Sequence, residues 1–406
     1  MKFIFPIILM VASLSLFIWL GLLFGRGNFW RMNQRLSPLE EQEVDGSWPS
    51  VCAIIPARNE SEALPESLLS VLAQEYPGDL NVIFVNDHSE DNTGEMAEEI
   101  AEKSDAEVNF QVLVPPPTPE GWAGKVWALH HGFKRAKKLD PELIWLTDAD
   151  IKHEPETLKT LTHKLEQEGL NLASIMADLR TESFWEKLLI PNFVYYFSMI
   201  YPFSWVNDPE KDTAAAAGGC VLARSSTVDN AGGFEVISDE VIDDCALARG
   251  CSNPEGEGLW LGLSHMVRSV RCYGNLNGIW QTVSRSAFSQ LGYSKLLLLG
   301  TVVGMVLLFL VPPGSVALGI IGLLGFNFEI DPVLASGLAS IGGLTWLGMG
   351  LSFYPILNWY GLSPLYGILA PVGGFLYTLM TIDSGLTWLR REGSEWKGRR
   401  MSVRGD

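Results

Sequence analysis

Basic charge is scarce in this chain of 406 residues: 29 lysines and arginines stand against 47 aspartates and glutamates, for a net charge of −18. Binding a polynucleotide draws on a basic surface that neutralises phosphates, so nucleic acid is excluded as a partner. Cysteine is scarce as well. The five cysteines, an odd number, form no C-x-x-C pair, which leaves neither a zinc framework nor a disulfide scaffold. Cys52, Cys220 and Cys245 stand in apolar contexts and read as reduced, buried thiols. Glycine-rich phosphate loops are missing too. The loop after the first apolar run carries no G-x-G-x-x-G, and there is no G-x-x-x-x-G-K-[ST], which argues against dinucleotide enzymes and P-loop hydrolases.

Hydrophobicity, by contrast, is plentiful and unevenly placed. Phe3 to Phe24 is uncharged and long enough to cross a hydrocarbon core of roughly 30 Å. Arg26, Arg31 and Arg35 follow it, with no small-residue cleavage site, so residues 1–25 read as an uncleaved anchor and 26–49 as a basic-to-acidic linker. Leu296 to Phe328 and Pro332 to Ile382 are uncharged again, giving a C-terminal transmembrane region over 295–385. The tail, 386–406, carries Arg390, Arg391, Lys397, Arg399, Arg400 and Arg404. By the positive-inside rule both the region after the first span and the tail face the cytoplasm, which requires an even number of C-terminal crossings. Four would need a tight hairpin at Pro312-Pro313-Gly314; two would leave one apolar stretch re-entrant or interfacial.

Residues 50–290 form the polar region between these anchors and the catalytic candidate. Val51 to Ile55 reads as a buried strand, followed by a helical pattern with Leu64, Leu68, Leu69 and Leu72 on one face. Asn81 to Val85, Val108 to Val114 and Leu143 to Thr147 read as further strands, with helical patterns from Thr93 and over Lys125 to Lys138. Alternation at this spacing predicts an α/β domain with a doubly wound, mostly parallel sheet. Asp148 and Asp150 then fall just beyond the carboxyl end of a strand, where such sheets bind ligands. Two carboxylates there suit a hard divalent cation, with water and phosphate completing its shell. The same pair also reads as a cap for the helix over Pro155 to Gly169, and the triplet alone does not decide.

The order of motifs does more. IIPARNE, VNDHSEDNT, GWAGKVWALHHG, LTDAD, AAAAGGCVLARSSTVDNAGGF and EVIDDCALA, over roughly residues 50 to 290, resemble the family 2 glycosyltransferases, inverting nucleotide-sugar enzymes of the GT-A fold. With an N-terminal anchor and C-terminal spans, the chain is most similar to the hopanoid-associated subgroup and more distantly to ceramide glucosyltransferases. The resemblance implies that Pro56, Arg58, Asn59 and Glu60 line the nucleotide pocket, with Asp87 accepting a hydrogen bond from the base. It places Lys125 near the diphosphate, and Asp148 and Asp150 on a metal-diphosphate, the metal being Mg2+ or Mn2+. Gly218, Gly219 and Cys220 would face the acceptor. Asp244 would be the general base, supported by Asp243. The chain departs from the family at Asn86, where a second acid is usual, and at His130, where asparagine is common. Asp87 also reads as a turn cap, Gly218-Gly219 as a strand kink, and Asp243-Asp244 as a solvated helix face; His153 and His265 read as packing or surface residues.

The chemistry calls for separate carboxylates. A cation acts on the leaving diphosphate, while another carboxylate takes the acceptor's proton on the opposite face of the sugar. One base without an enzymic nucleophile gives single displacement and inversion. The family's Q-x-x-R-W element is altered to Trp280-Gln281-Thr282-Val283-Ser284-Arg285, so Arg285 remains a phosphate candidate while a processive synthase is disfavoured. Ser183 to Trp205, rich in Tyr and Trp, reads as an interfacial helix against the bilayer, with a buried core helix as the alternative. The expectation is a multi-pass protein of the inner, cytoplasmic membrane with its catalytic domain in the cytoplasm. It would transfer a sugar from a nucleotide-sugar, a UDP-sugar by expectation, to a lipid such as a hopanoid or ceramide-like acceptor. The alternatives are a polyprenyl-phosphate or polysaccharide transferase, and a non-catalytic nucleotide-sugar binding protein in the membrane.

Overall fold

The computed structural model describes residues 4–39, 47–104, 107–252, 258–325 and 331–390, with the short strand pieces 395–396 and 399–400. Part of the acidic stretch of the linker, the end of the run to Phe328, and most of the basic tail therefore lie outside the described residues. Two compact units emerge, one from residues 33–180, 203–272 and 391–406, the other from 1–32, 181–202 and 273–390.

The first unit is built on an eight-stranded sheet: β1 Val51–Ala57, β2 Leu80–Asn86, β3 Asn109–Leu113, β4 Leu143–Leu146, β5 Ile151–His153, β6 Leu172–Asp178, β7 Val221–Arg224 and β8 Leu259–Ser269. Their order across the sheet is β3-β2-β1-β4-β7-β6-β8-β5. The pairs β1–β2, β2–β3, β1–β4 and β6–β8 are parallel, whereas β4–β7, β6–β7 and β5–β8 are antiparallel. Every residue of β1 is buried, because helices cover both faces of a parallel strand and no polar side chain has a place there. The helix Leu64–Leu72 contributes Leu64, Leu68, Val71 and Leu72 to that core. The helix Gly124–Ala136 lies so close to β1 that a Cβ on Gly132 would stand 2.4 Å from Ile54 Cγ2. Only glycine lets the helix approach this far. The parallel strands all end at one edge, and the loops after β1, β2 and β4 gather there.

The second unit is helical. By length and composition, the described residues contain four helices able to cross a membrane: Phe5–Gly25, Lys295–Leu323, Pro332–Trp359 and Pro364–Leu389. Three of them follow residue 290, so an even number of C-terminal crossings would require one to stay on one side. Pro312 and Pro313 do not make a hairpin; the helix runs through them. A π-helical segment, Val306–Leu310, precedes the helix Val311–Leu323. In a ladder bonded five residues apart, prolines at 312 and 313 leave the carbonyls of Leu307 and Leu308 without backbone donors. Ser15 Oγ donates to Leu307 O at 2.7 Å and Trp19 Nε1 to Leu308 O at 2.9 Å, satisfying both from the N-terminal helix.

The helix Phe184–Ile200 belongs to this unit. Ser183 and Glu186 form a capping box at its start, and Glu186 also accepts the Tyr273 N–H at 3.1 Å. At its end Arg26 donates to the carbonyls of Met199 and Ile200, where a cation suits the helix dipole. Tyr195 and Tyr196 are buried, Tyr195 stacked on Phe353 with centroids 3.8 Å apart and hydrogen bonded to Ser352 at 2.6 Å.

Candidate active site

The loop after β1 and the loop after β2 are locked together. Arg58, 4% exposed, donates to the carbonyls of Asp87 at 2.8 Å and His88 at 2.7 Å, and pairs with Glu90 at 2.9 Å. Asn59 adopts a left-handed conformation, φ 51°, and its side chain accepts the Glu90 N–H at 2.8 Å. The Glu60 N–H donates to Thr93 Oγ1 at 2.8 Å. Asp87 is fully buried, its N–H bonded to Ala57 O at 2.9 Å. Arg58, Asn59 and Asp87 thus hold the two loops against each other.

A cleft opens beside them, lined by Pro56, Lys125, Thr147, Asp148, Gly218, Asp243 and Asp244. Lys125, near the start of the helix Gly124–Ala136, bridges two acids: Asp148 Oδ1 at 2.8 Å and Asp243 Oδ2 at 3.3 Å. Burial alone would push this ammonium down, but Asp148, Asp243 and Asp244 together hold it protonated, well above its ordinary value. Asp243 and Asp244 open the helix Asp243–Cys251, whose free N–H groups favour acids. Asp244 accepts the Gly218 N–H and the Cys245 N–H, each at 2.7 Å. Its carboxyl is nevertheless pushed up to about 6, first by burial and then by the Asp243 charge, against the pull of Lys125 and the two backbone donors. Burial, with Asp148 adding to it, raises Asp243 as well, against Lys125. A carboxylate in that range is poised to take a proton near neutrality.

Gly218 brings the next segment against this pair: a Cβ there would lie 3.1 Å from Lys125 Nζ and 3.3 Å from Asp244 Oδ2. Gly219 packs on Ile151 and Ala177 instead, and Cys220 turns into the core, its Sγ receiving Trp145 Nε1 at 3.4 Å. Of the three expected acceptor-side residues, Gly218 is the one at the cleft. Arg285 sits on the helix Leu276–Ser286 of the helical unit.

Asp148 and Asp150 lie on the turn between β4 and β5. Ser67 Oγ donates to the intervening Ala149 O at 2.6 Å, which fixes the turn. Thr147 Oγ1 donates to Gly219 O at 2.9 Å and meets His153 Nε2 at 2.8 Å, so the ring carries its proton on Nε2. Burial holds His153 down at about 3, and the ring is neutral. Of the two expectations for His153, packing or surface, the structure shows packing: the ring is buried and supports Thr147, the residue that ties this turn to Gly219. Arg271, which no motif marked, reaches Asp150 Oδ2 with Nε at 2.7 Å and Glu60 Oε1 at 3.3 Å. Its one signal in the sequence is position, just past a long apolar strand. Asp148, its side chain 34% exposed, and Asp150 are carboxylates of the type that suits a hard divalent cation, but each is paired here with a basic side chain, and among the described residues no group of three or more His, Cys, Asp or Glu side chains converges on one point.

Residues 52–229 match the family described as Glycosyl transferase family 2. Within this matched segment lie the paired loops, Lys125, the D-x-D turn and Gly218; Asp243, Asp244 and Arg271 fall beyond it. A probable glycosyltransferase of Bacillus subtilis is 36% identical over 103 residues, covering 25% of this chain and 23% of that protein. The undecaprenyl-phosphate 4-deoxy-4-formamido-L-arabinose transferase of Proteus mirabilis is 32% identical over 143 residues, covering 34% and 40%. The chain spans less than half the length of these relatives. The solved mannosyltransferase from Pyrobaculum calidifontis, in complex with GDP-Man and Mn2+, aligns with a TM-score of 0.55 at 15% identity over 96% of this chain and 99% of that one. The fold shared with that structure is a mixed α/β sheet of the GT-A kind, here accompanied by apolar helices at both ends of the chain.

Proposed function

We propose that the protein is an inverting glycosyltransferase of the cytoplasmic membrane that moves one sugar from a nucleotide-sugar, a UDP-sugar by expectation, to the hydroxyl of a membrane lipid such as a hopanoid or ceramide-like molecule. The observation that carries this reading is the placement of Asp244, a carboxylate raised to about 6, in the same cleft as Lys125 and Asp148. In the transfer, the acceptor oxygen forms its bond to the anomeric carbon as the bond to the diphosphate oxygen breaks, and the hydroxyl proton passes to Asp244. The Lys125 ammonium meets the charge developing on the leaving group. Asp148 and Asp150 would hold a divalent cation, Mg2+ or Mn2+, which supplies Lewis-acid charge at the diphosphate. Gly218 holds the base by its N–H and, lacking a side chain, lets Lys125 and Asp244 approach it closely.

The Proteus mirabilis relative, named for undecaprenyl phosphate, supports a second reading in which the acceptor is a polyprenyl phosphate. A phosphate oxygen attacks without losing a proton, so it has little use for a base raised toward neutrality. Asp244 therefore favours a hydroxyl acceptor. The test incubates the full chain in lipid nanodiscs with UDP- or GDP-sugars, Mn2+ and a membrane lipid extract, beside Asp244→Asn. Transfer should fall by about 10²-fold or more in the variant while donor binding persists. A variant that transfers at the wild-type rate removes Asp244 as base. A labelled lipid that withstands mild acid is a glycoside; one that releases its sugar is a glycosyl phosphate and moves the acceptor to the second reading.

A further inference from the structure

Each half of the D-x-D carries an internal cation. Asp148 has Lys125 at 2.8 Å, and Asp150 has Arg271 at 2.7 Å, whose guanidinium also reaches Glu60 at 3.3 Å. Glu60 belongs to the loop after β1, Asp150 to the turn after β4, and Arg271 to the segment leaving β8, so one side chain ties three loops at the edge of the sheet. Asp150 and Glu60 are largely covered, their side chains 12% and 14% exposed. Among the described residues, the carboxylates Glu60, Asp148, Asp150, Asp243 and Asp244 gather around the two cations Lys125 and Arg271, a formal charge of −3 for these seven groups.

That arithmetic treats the two ligands of such a site unequally when they come alone. A divalent cation must displace a guanidinium and an ammonium from the carboxylates it needs. A diphosphate by itself meets an excess of negative charge. Arriving together, each removes the other's obstacle, because phosphate oxygens accept the guanidinium fork and the ammonium while the freed carboxylates turn to the cation.

We propose that Arg271 is a counter-ion latch: it holds Asp150 and Glu60 until a diphosphate draws it away, so that divalent cation and diphosphate bind as one unit. The latch rests on the reading of Asp148 and Asp150 as the metal-diphosphate site. Arg271 acts as a positioning residue, and its substitution has two effects of opposite sign. Removing its charge leaves Asp150 more available to a bare cation, and removes the group through which the diphosphate improves cation binding.

The test titrates Mn2+ by electron paramagnetic resonance into the full chain in nanodiscs, without nucleotide and in separate titrations with UDP or GDP. Wild type should bind Mn2+ about tenfold tighter with one of the nucleotides than without. In Arg271→Gln, Mn2+ alone should bind about threefold tighter, and the nucleotide-dependent gain should shrink below about threefold. A merely structural role would weaken both. A full gain retained in the variant, or weaker binding of Mn2+ alone, overturns the latch and leaves the diphosphate site standing. Wild type that shows no nucleotide-dependent gain with either probe overturns the site and the latch together. Should Arg271→Gln fail to fold, Arg271→Lys decides: it keeps the charge without the fork, and an undiminished gain overturns the proposal.

Discussion

The Gly218 N–H donates to Asp244 Oδ2 at 2.7 Å, and the missing side chain of the same glycine leaves Lys125 Nζ room on the other side. One residue therefore packs between Asp244, the proposed base, and Lys125, the cation proposed to face the leaving group. Gly218→Ala would place a methyl 3.1 Å from Nζ and 3.3 Å from Oδ2, both closer than comfortable contact. The lysine end is flexible, so the protein should fold with a melting temperature close to wild type. Turnover should drop about 10–100-fold, because misplacement by a fraction of an ångström to 1 Å is costly in a preorganised site. Steady-state kinetics at saturating donor measure it; an alanine variant with unaltered turnover would show that this spacing does not matter.

The pH dependence follows from Asp244. Burial and the Asp243 charge push its carboxyl up to about 6, and as the proposed base it accepts a proton only when ionised, so transfer should rise with pH through about 6 and level off above it. The Asp243 charge contributes to that elevated value. Asp243→Asn removes the charge, lowers the value for Asp244, and should move the acid limb of the rate profile to lower pH. A limb that stays in place, or moves up, would assign it to another group.

Arg58 makes a prediction about stability. Its guanidinium is buried and satisfies the carbonyls of Asp87 and His88. Arg58→Ala leaves both acceptors without that donor, at a cost of about 2–4 kcal/mol, since hydrogen bonds from charged groups are worth more than neutral ones. Glu90, at 80% exposure, adds little to this. The melting temperature should fall by several degrees while the membrane helices remain folded by circular dichroism. A shift within experimental error would mean that the two loops hold their shape without the arginine.

Which parts of this protein could be read from its sequence depends on whether the cause is local. The parallel half of the sheet was legible because burial on both faces forces continuous apolar runs, as in Val51–Ala57 and Leu143–Leu146. Asp148 was legible by its position at a strand end. The antiparallel half was harder: β8 and its partner β5, only three residues long, derive their pairing from tertiary packing. Arg271 went unnoticed for the same reason, since its partners Glu60 and Asp150 are distant in sequence. Pro312 and Pro313 left two alternatives open, a hairpin or an uninterrupted stretch. Two prolines before a glycine ordinarily suggest a turn, but a π segment and donors from Ser15 and Trp19 let the helix continue.

That last arrangement can be tested directly. Trp19→Phe keeps the aromatic contact with Phe309, now at 5.8 Å between centroids, and removes the donor to Leu308 O. Hydrogen bonds inside membrane helical bundles are worth about 0.6–1.7 kcal/mol, so the variant should melt slightly lower, and Ser15→Ala with Trp19→Phe lower again. Thermal unfolding in nanodiscs follows both. Equal melting of the double variant and wild type would show that the proline carbonyls find other donors.

Lys125 provides the counterpart to the Asp243 experiment. Its ammonium lies 2.8 Å from Asp148 and 3.3 Å from Asp243, and its charge lowers the value for Asp244. Lys125→Met keeps most of the length and apolar stem but removes the charge from a cleft left with its acids. Asp244 should then titrate above its present value of about 6, moving the acid limb of the rate profile to higher pH, opposite to Asp243→Asn. Nucleotide affinity should weaken about 5–50-fold if Lys125 makes the proposed charge-assisted contact to phosphate. The pair of shifts in opposite directions distinguishes an electrostatic cluster from general damage, which would lower rates at every pH and leave the limb where it is. If both variants move the limb the same way, Lys125 and Asp243 do not set the proton affinity of the base.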